Sequence, residues 1–113
     1  MHELALMTEI CAIASAAAAE QGAHRIHRLE LRIGELGGVD ADALRQAFAV
    51  VASRGPWRST DLAVEVVATR CFCPHCDQPF NPADVIHACP MCGQLSSQVL
   101  EGRELELVAL EVS

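Results

Sequence analysis

Tyrosine is missing from this 113-residue chain, and three Phe and one Trp are its only aromatics. An aromatic core is thereby excluded, and what the chain buries must be mainly aliphatic. Basic residues are also scarce: eight stand against fifteen acidic ones, for a net charge of −7. Such a surface repels phosphate backbones, which disfavours nucleic acid as a partner. Cationic partners, metal ions or basic protein patches fit better. No Lys or Arg precedes Arg25. The apolar stretch from Leu4 to Ala19 therefore lacks the basic start of a signal peptide, and Glu3 and Glu9 defeat a membrane span. Internal repeats beyond a pair of cysteine turns are absent, as are low-complexity linkers. So is any grouping of nucleophile, base and open metal position, which leaves an enzyme reading without its parts.

What remains is a chain of one compact domain, or one domain with a small inserted module. With 51% apolar residues and a mean hydropathy of +0.24, it is expected to be ordered. Its six cysteines are expected to be reduced, in a cytoplasmic protein, because a disulfide scaffold needs an oxidising compartment.

Five of the six cysteines fall between residues 71 and 92. Cys73-Pro74-His75-Cys76 and Cys89-Pro90-Met91-Cys92 are two equal Cys-x-x-Cys turns. Each turn aims two sulfurs at one point, and the intervening loop lets the second turn fold back over the first. Four thiolates around one divalent ion suit structural Zn(II). A redox dithiol would need only one pair, and a catalytic zinc would keep an open position. Cys71 is the spare, read as a strand-end residue near the site, with ligand exchange with Cys73 as the alternative. His75 and His87 flank the ligands and can serve as outer groups that donate hydrogen bonds to sulfur.

Elsewhere the pattern is that of an α/β (α+β) unit. Residues 4–21 predict a helix with Leu4, Met7, Cys11, Ala14 and Ala18 on one face, ending at Gly22. Cys11 on that stripe reads as a buried, inert thiol. Residues 25–33 alternate as a strand, with Leu29, Leu31 and Ile33 on the apolar face. Asp40 is placed to cap a second helix, with Val39 and Leu44 as a hydrophobic staple, and Gly55-Pro56 ends it. A second strand spans 62–68, with Leu62, Val64 and Val66 on one face. A third spans 104–112, and its two halves are out of phase unless a bulge falls near Val108-Ala109. The expected architecture is a small three-stranded mixed sheet with two helices and an inserted zinc-ribbon-like module. The α/β domain would take residues 1–69 and be completed by 98–113, with the module at 70–97.

Met1-His2-Glu3 has a chemistry of its own. A bulky second residue normally prevents removal of the initiator Met. The α-amine, the His2 amide nitrogen and the His2 imidazole can then close fused chelate rings around one ion, with the Glu3 amide as a fourth donor. Planar nitrogen fields favour Ni(II) or Cu(II). By the residues alone, His2 is either such a ligand or the second residue of a frayed terminus.

An initial Met1-His2-Glu3-Leu4, a helix, a strand ending Ile33-Gly34-Glu35 and two late Cys-x-x-Cys pairs together resemble the HypA/HybF family of hydrogenase maturation proteins. The resemblance covers essentially the whole chain. It implies a nickel metallochaperone with transferable Ni(II) at the N-terminus through His2 and structural Zn(II) on Cys73, Cys76, Cys89 and Cys92. It also implies delivery to the large subunit of a nickel-iron hydrogenase beside a HypB-type GTPase; some members also serve urease. Cys71 is not part of the family's four-ligand pattern. Monomer and homodimer both fit. The rival reading is a zinc-ribbon protein-interaction adaptor without transferable metal.

Overall fold

The computed structural model describes residues 3–53 and 56–113. Helix α1 runs Glu3–Glu20 and buries Met7, Cys11, Ala14 and Ala18, joined by Ile10. It ends as its sequence requires: Gly22 takes a left-handed φ of 69°. The Gly22 N–H then donates to Ala19 and the Ala23 N–H to Ala18, which satisfies two leftover helix carbonyls. Leu4, expected on the buried stripe, is 51% exposed. At 100° per residue it lies at the stripe's edge, on the side away from Ile10, and in the helix's first turn.

Strand β1 (Ile26–Gly34) buries Leu29, Leu31 and Ile33 almost completely. Helix α2 (Ala41–Ala52) starts at Asp40, whose carboxylate accepts from the Asp42 and Ala43 N–H groups at 2.8 and 3.1 Å. Val39 and Leu44 both pack into the core, completing the staple. The helix stops at Ala52, with Ser53 as its cap; Gly55, expected to end it, lies outside the described residues. Strand β2 (Asp61–Val67) pairs parallel with β1. Leu62 and Val64 pack on the core as expected, but Val66 is exposed and Val67 is buried instead. β2 is an edge strand, so its last inward residue lacks cover. Val67 is enclosed because it sits where β1 turns away, its carbonyl accepting from the Glu35 N–H.

The next three strands form a second sheet: β3 (Arg70–Cys73), β4 (Gln78–Phe80) and β5 (Gln98–Glu101), in the order β4-β3-β5. The expected boundary at 97 falls just before β5, which pairs with β3 rather than with β1. The chain then returns to the first sheet as β6 (Leu105–Val112), antiparallel to β1, giving the order β2-β1-β6. Leu107 faces Leu31 and Ala109 faces Glu30, so Val108 is the extra residue of a bulge. The bulge brings Leu107 and Leu110 onto the same core, as the broken phase of the sequence predicts. Both helices cover one face of this mixed sheet, and the other face carries Arg28, Glu30 and Arg32.

The molecule is elongated, 54 × 25 × 17 Å, because the second sheet extends from one end of the first. The chain crosses at Ala68-Thr69 and again at Gly102–Glu104. Gly34 is required there: a Cβ on it would overlap the backbone of Gly102. Glu35 accepts from the Thr69 N–H at 2.7 Å, and Asn81 donates to the Thr69 carbonyl at 2.8 Å. The Glu104 carboxylate accepts from the Gly102 N–H at 2.7 Å. The Thr69 N–H, with help from the Thr69 side chain, holds the Glu35 carboxyl below its ordinary pKa.

Candidate metal centre

Two hairpins build the centre. In the first, Cys73 closes β3 opposite Gln78 of β4, and Pro74-His75-Cys76 make the turn. In the second, Ala88 bridges to Leu95 and the Cys89 N–H donates to Gln94 at 2.9 Å. The residue after each second cysteine is left-handed: Asp77 at φ 54° and Gly93 at φ 77°. Aspartate is one of the few non-glycine residues that tolerate that conformation. The Cys76 N–H donates to the Cys73 sulfur at 3.4 Å, so the turn's own backbone fixes the position of that sulfur.

The two turns bring the ligand atoms of Cys73, Cys76, Cys89 and Cys92 within 4.8 Å of one another. Cys73 and Cys92 sulfurs are 3.6 Å apart, and those of Cys76 and Cys89 are 3.9 Å apart. A tetrahedron with Zn–S bonds of about 2.3 Å has edges of about 3.8 Å, so the donor set fits zinc. The separations are far beyond a disulfide bond of about 2.05 Å, and all six cysteines are free. The first cysteine of each pair is buried and the second half-buried, which closes the shell from the module's interior.

The electrostatics favour a cation at the centre. The backbone N–H groups of Cys92 and Met91 pull the Cys89 thiol down to about 7. Cys76 goes the other way, pushed up to about 12 by its hydrogen bond with Cys92 and by burial. One thiolate forms readily here and opposes the next. A divalent ion held between the sulfurs removes that opposition, because thiolate is the ligand form.

Cys71 is fully buried in β3, opposite Phe80 and Val99, and is not in the four-sulfur group. Burial pushes its thiol up. Cys11 is buried in α1, with its thiol pushed up to about 11 for the same reason. His75 is exposed and His87 half-buried. The hydrogen bonds expected from them to sulfur are not found among the described residues, where backbone and neighbouring thiols meet the sulfurs instead. His2 and Met1 lie outside the described residues. Glu3 is the first residue of α1. Leu6 lines a groove with Leu105, which pairs with Ile33 at the end of β1. The start of α1 therefore lies at the end of the α/β unit from which the second sheet extends. The crossing built by Gly34, Glu35, Thr69 and Gly102 escaped sequence reasoning. Its only signal was the Gly34-Glu35 pair after an otherwise regular strand.

Among the described residues, no helix is long and apolar enough to cross a membrane. The family profile described as "Hydrogenase/urease nickel incorporation, metallochaperone, hypA" matches residues 1–112. The chain is 46% identical over 112 residues to a "Hydrogenase maturation factor HypA" of Picosynechococcus sp., covering 99% of each. It is 48% identical over 112 residues to the protein of the same description from Chloroflexus aggregans, covering 98% of each. Its fold is similar to the solution structure of the Ni metallochaperone HypA from Helicobacter pylori. The TM-score is 0.66 with 24% identity, over 99% of this chain and 97% of that one, a likeness that bears on fold alone.

Proposed function

We infer the function from one premise: the chain belongs to the HypA family of hydrogenase maturation factors and nickel metallochaperones, which are not enzymes. From that premise we propose that it accepts Ni(II) at Met1-His2-Glu3 and delivers it to the large subunit of a nickel-iron hydrogenase. The ligands are the Met1 amine, the His2 amide and imidazole, and the backbone nitrogen of Glu3. Planar amide nitrogens reward the d-electron count of Ni(II), whereas zinc gains nothing from that geometry. Few side chains hold the ion, so an incoming donor can attack an axial face. Copper binds more tightly still in such a field, so selectivity rests on its scarcity in the cytoplasm and on partner contacts.

The observation that carries this reading is the four-sulfur cluster. Its spacing suits a permanent Zn(II) on Cys73, Cys76, Cys89 and Cys92 and leaves no open position there. A transferable ion must then be held elsewhere, and the Met1-His2-Glu3 nitrogens are the donor set the sequence offers. The zinc's chemistry when bound is structural: it supplies the cross-link between two hairpins. A HypB-type GTPase is the expected co-worker, and urease a second client system. The test is nickel titration of the chain with its native first residue. Binding should be abolished by one extra residue before Met1 and by His2→Ala, with zinc content unchanged at about one per chain. Untagged protein that ignores nickel while retaining zinc would leave only a zinc-braced adaptor.

A further inference from the structure

α1 is apolar nearly all round, a pattern that normally means a helix covered on every side. One stripe, through Met7, Cys11, Ala14 and Ala18, meets the core. A second, through Leu6, Ile10 and Ile13, overhangs the edge of β6. Together with Leu105 and Leu107 it lines an apolar groove of about 240 Å³. Ile13 and Leu105 remain about half exposed, at 54% and 49%. β6 pairs with β1 on one side only, and no described residue pairs with its outer edge. The groove thus has the shape of a vacant strand position: free backbone groups along β6, and an apolar roof on the helix side of the sheet.

The sheet's open face specifies the charge of the occupant. Arg32 on β1 lies between Glu65 on β2 and Glu106 on β6, at 3.6 and 3.7 Å. The row across the sheet reads acid, base, acid. Asp61, Arg28 and Glu111, matched in register, repeat the order at the other end of the strands. Both rows end on an acidic residue of β6. Glu9 in the groove and Glu106 at its edge add no cation, and no Lys or Arg lines it. Opposite charges on facing residues of adjacent strands stabilise, and like charges destabilise.

We propose that an extended, basic segment of a partner protein adds to β6 as a fourth strand. Its alternate apolar side chains enter the groove under Leu6, Ile10 and Ile13, and its Lys or Arg side chains face Glu106 and Glu111. A second copy of this chain is the poorer occupant. Antiparallel pairing of two β6 strands would bring their glutamates onto one face with no cation between them. The bulge at Val108 interrupts the edge, so pairing is centred on Leu105–Leu107, beside the groove. The site does not involve the nickel or cysteine ligands, so it stands or falls separately from the metal assignments.

The probe is a short capped peptide of alternating valine and lysine, compared with its twin bearing glutamate for lysine. With the full chain, the lysine peptide should slow amide hydrogen exchange at Leu105, Glu106 and Leu107 and shift the resonances of Ile13, and the twin should not. Glu106→Lys should weaken the lysine peptide by about tenfold or more and improve the twin. Ile13→Glu should weaken the valine-dependent part for both. Ile13 and Glu106 are exposed, and because Glu106→Lys sets a lysine beside Arg32, Glu106→Gln is measured with it and should weaken the lysine peptide in the same direction. No binding, binding that maps elsewhere on the acidic surface, or binding indifferent to Glu106→Lys would overturn the proposal. So would a dimer whose formation alone protects Leu105–Leu107, since the occupant would then be a second copy.

Discussion

The two sheets of this molecule are held together by different means. The first buries Met7, Leu29, Ile33 and Leu44 completely beneath two helices, an arrangement that aliphatic burial alone can stabilise. The second has four buried residues in its cluster, Cys71, Cys73, Phe80 and Cys89, and three of them are cysteines. Its strands are three or four residues long. So small a sheet cannot offset the ordering of its chain by burial, and a metal cross-link supplies what packing lacks. In one half the core contains none of the four clustered cysteines. In the other the sulfurs are the core.

That contrast can be broken most directly by chelation. Removing the metal should melt the β3-β4-β5 sheet while the β2-β1-β6 sheet keeps its protection from amide exchange. Structural zinc contributes about 10–16 kcal/mol of apparent binding energy in small domains, so the effect on the module should be total. Simultaneous loss of both sheets would show that they form one cooperative unit. Next in size is Gly34→Ala, which drives a methyl group into the backbone of Gly102. A cost of about 3 kcal/mol or more is expected in denaturant unfolding of the α/β unit, with metal content unchanged.

Asp40→Ala should be milder, at about 1 kcal/mol, because it removes one helix cap and no packing. Its effect should appear in the melting of the first sheet and not in metal retention. The smallest effect is expected from Glu35. Its folded-state pKa is depressed by the Thr69 N–H. Its contribution is therefore present above the ordinary carboxylate pKa and is lost as pH falls through the depressed folded value. Glu35→Gln should flatten that acid limb of the stability curve, and an unaltered limb would assign it to other carboxylates.

Much of the fold was legible in the sequence because its signals were local. The Asp40 cap, the Gly22 stop and the Val108 bulge each follow from a few neighbouring residues. The two cysteine turns were equally plain, since spacing alone aims their sulfurs. What escaped depends on contacts between distant segments. Leu4 and Val66 carry the right periodicity but lie where an element outruns its cover. Gly34 and Glu35 matter only because Thr69 and Gly102 come to meet them. β5 shows no strong alternation, and its partner β3 lies far back in the chain.

The two crossings between the sheets lie side by side: a methyl group on Gly102 would come within 3.0 Å of the Thr69 Cα. The segment between them is therefore a closed loop whose ends the α/β unit already clasps. If that loop loses its order, β2 and β6 remain joined by a longer tether and nothing more. Each doubling of such a tether costs about 0.6 kcal/mol in closure entropy. The pairings of β1 with β2 and with β6 would be left in place.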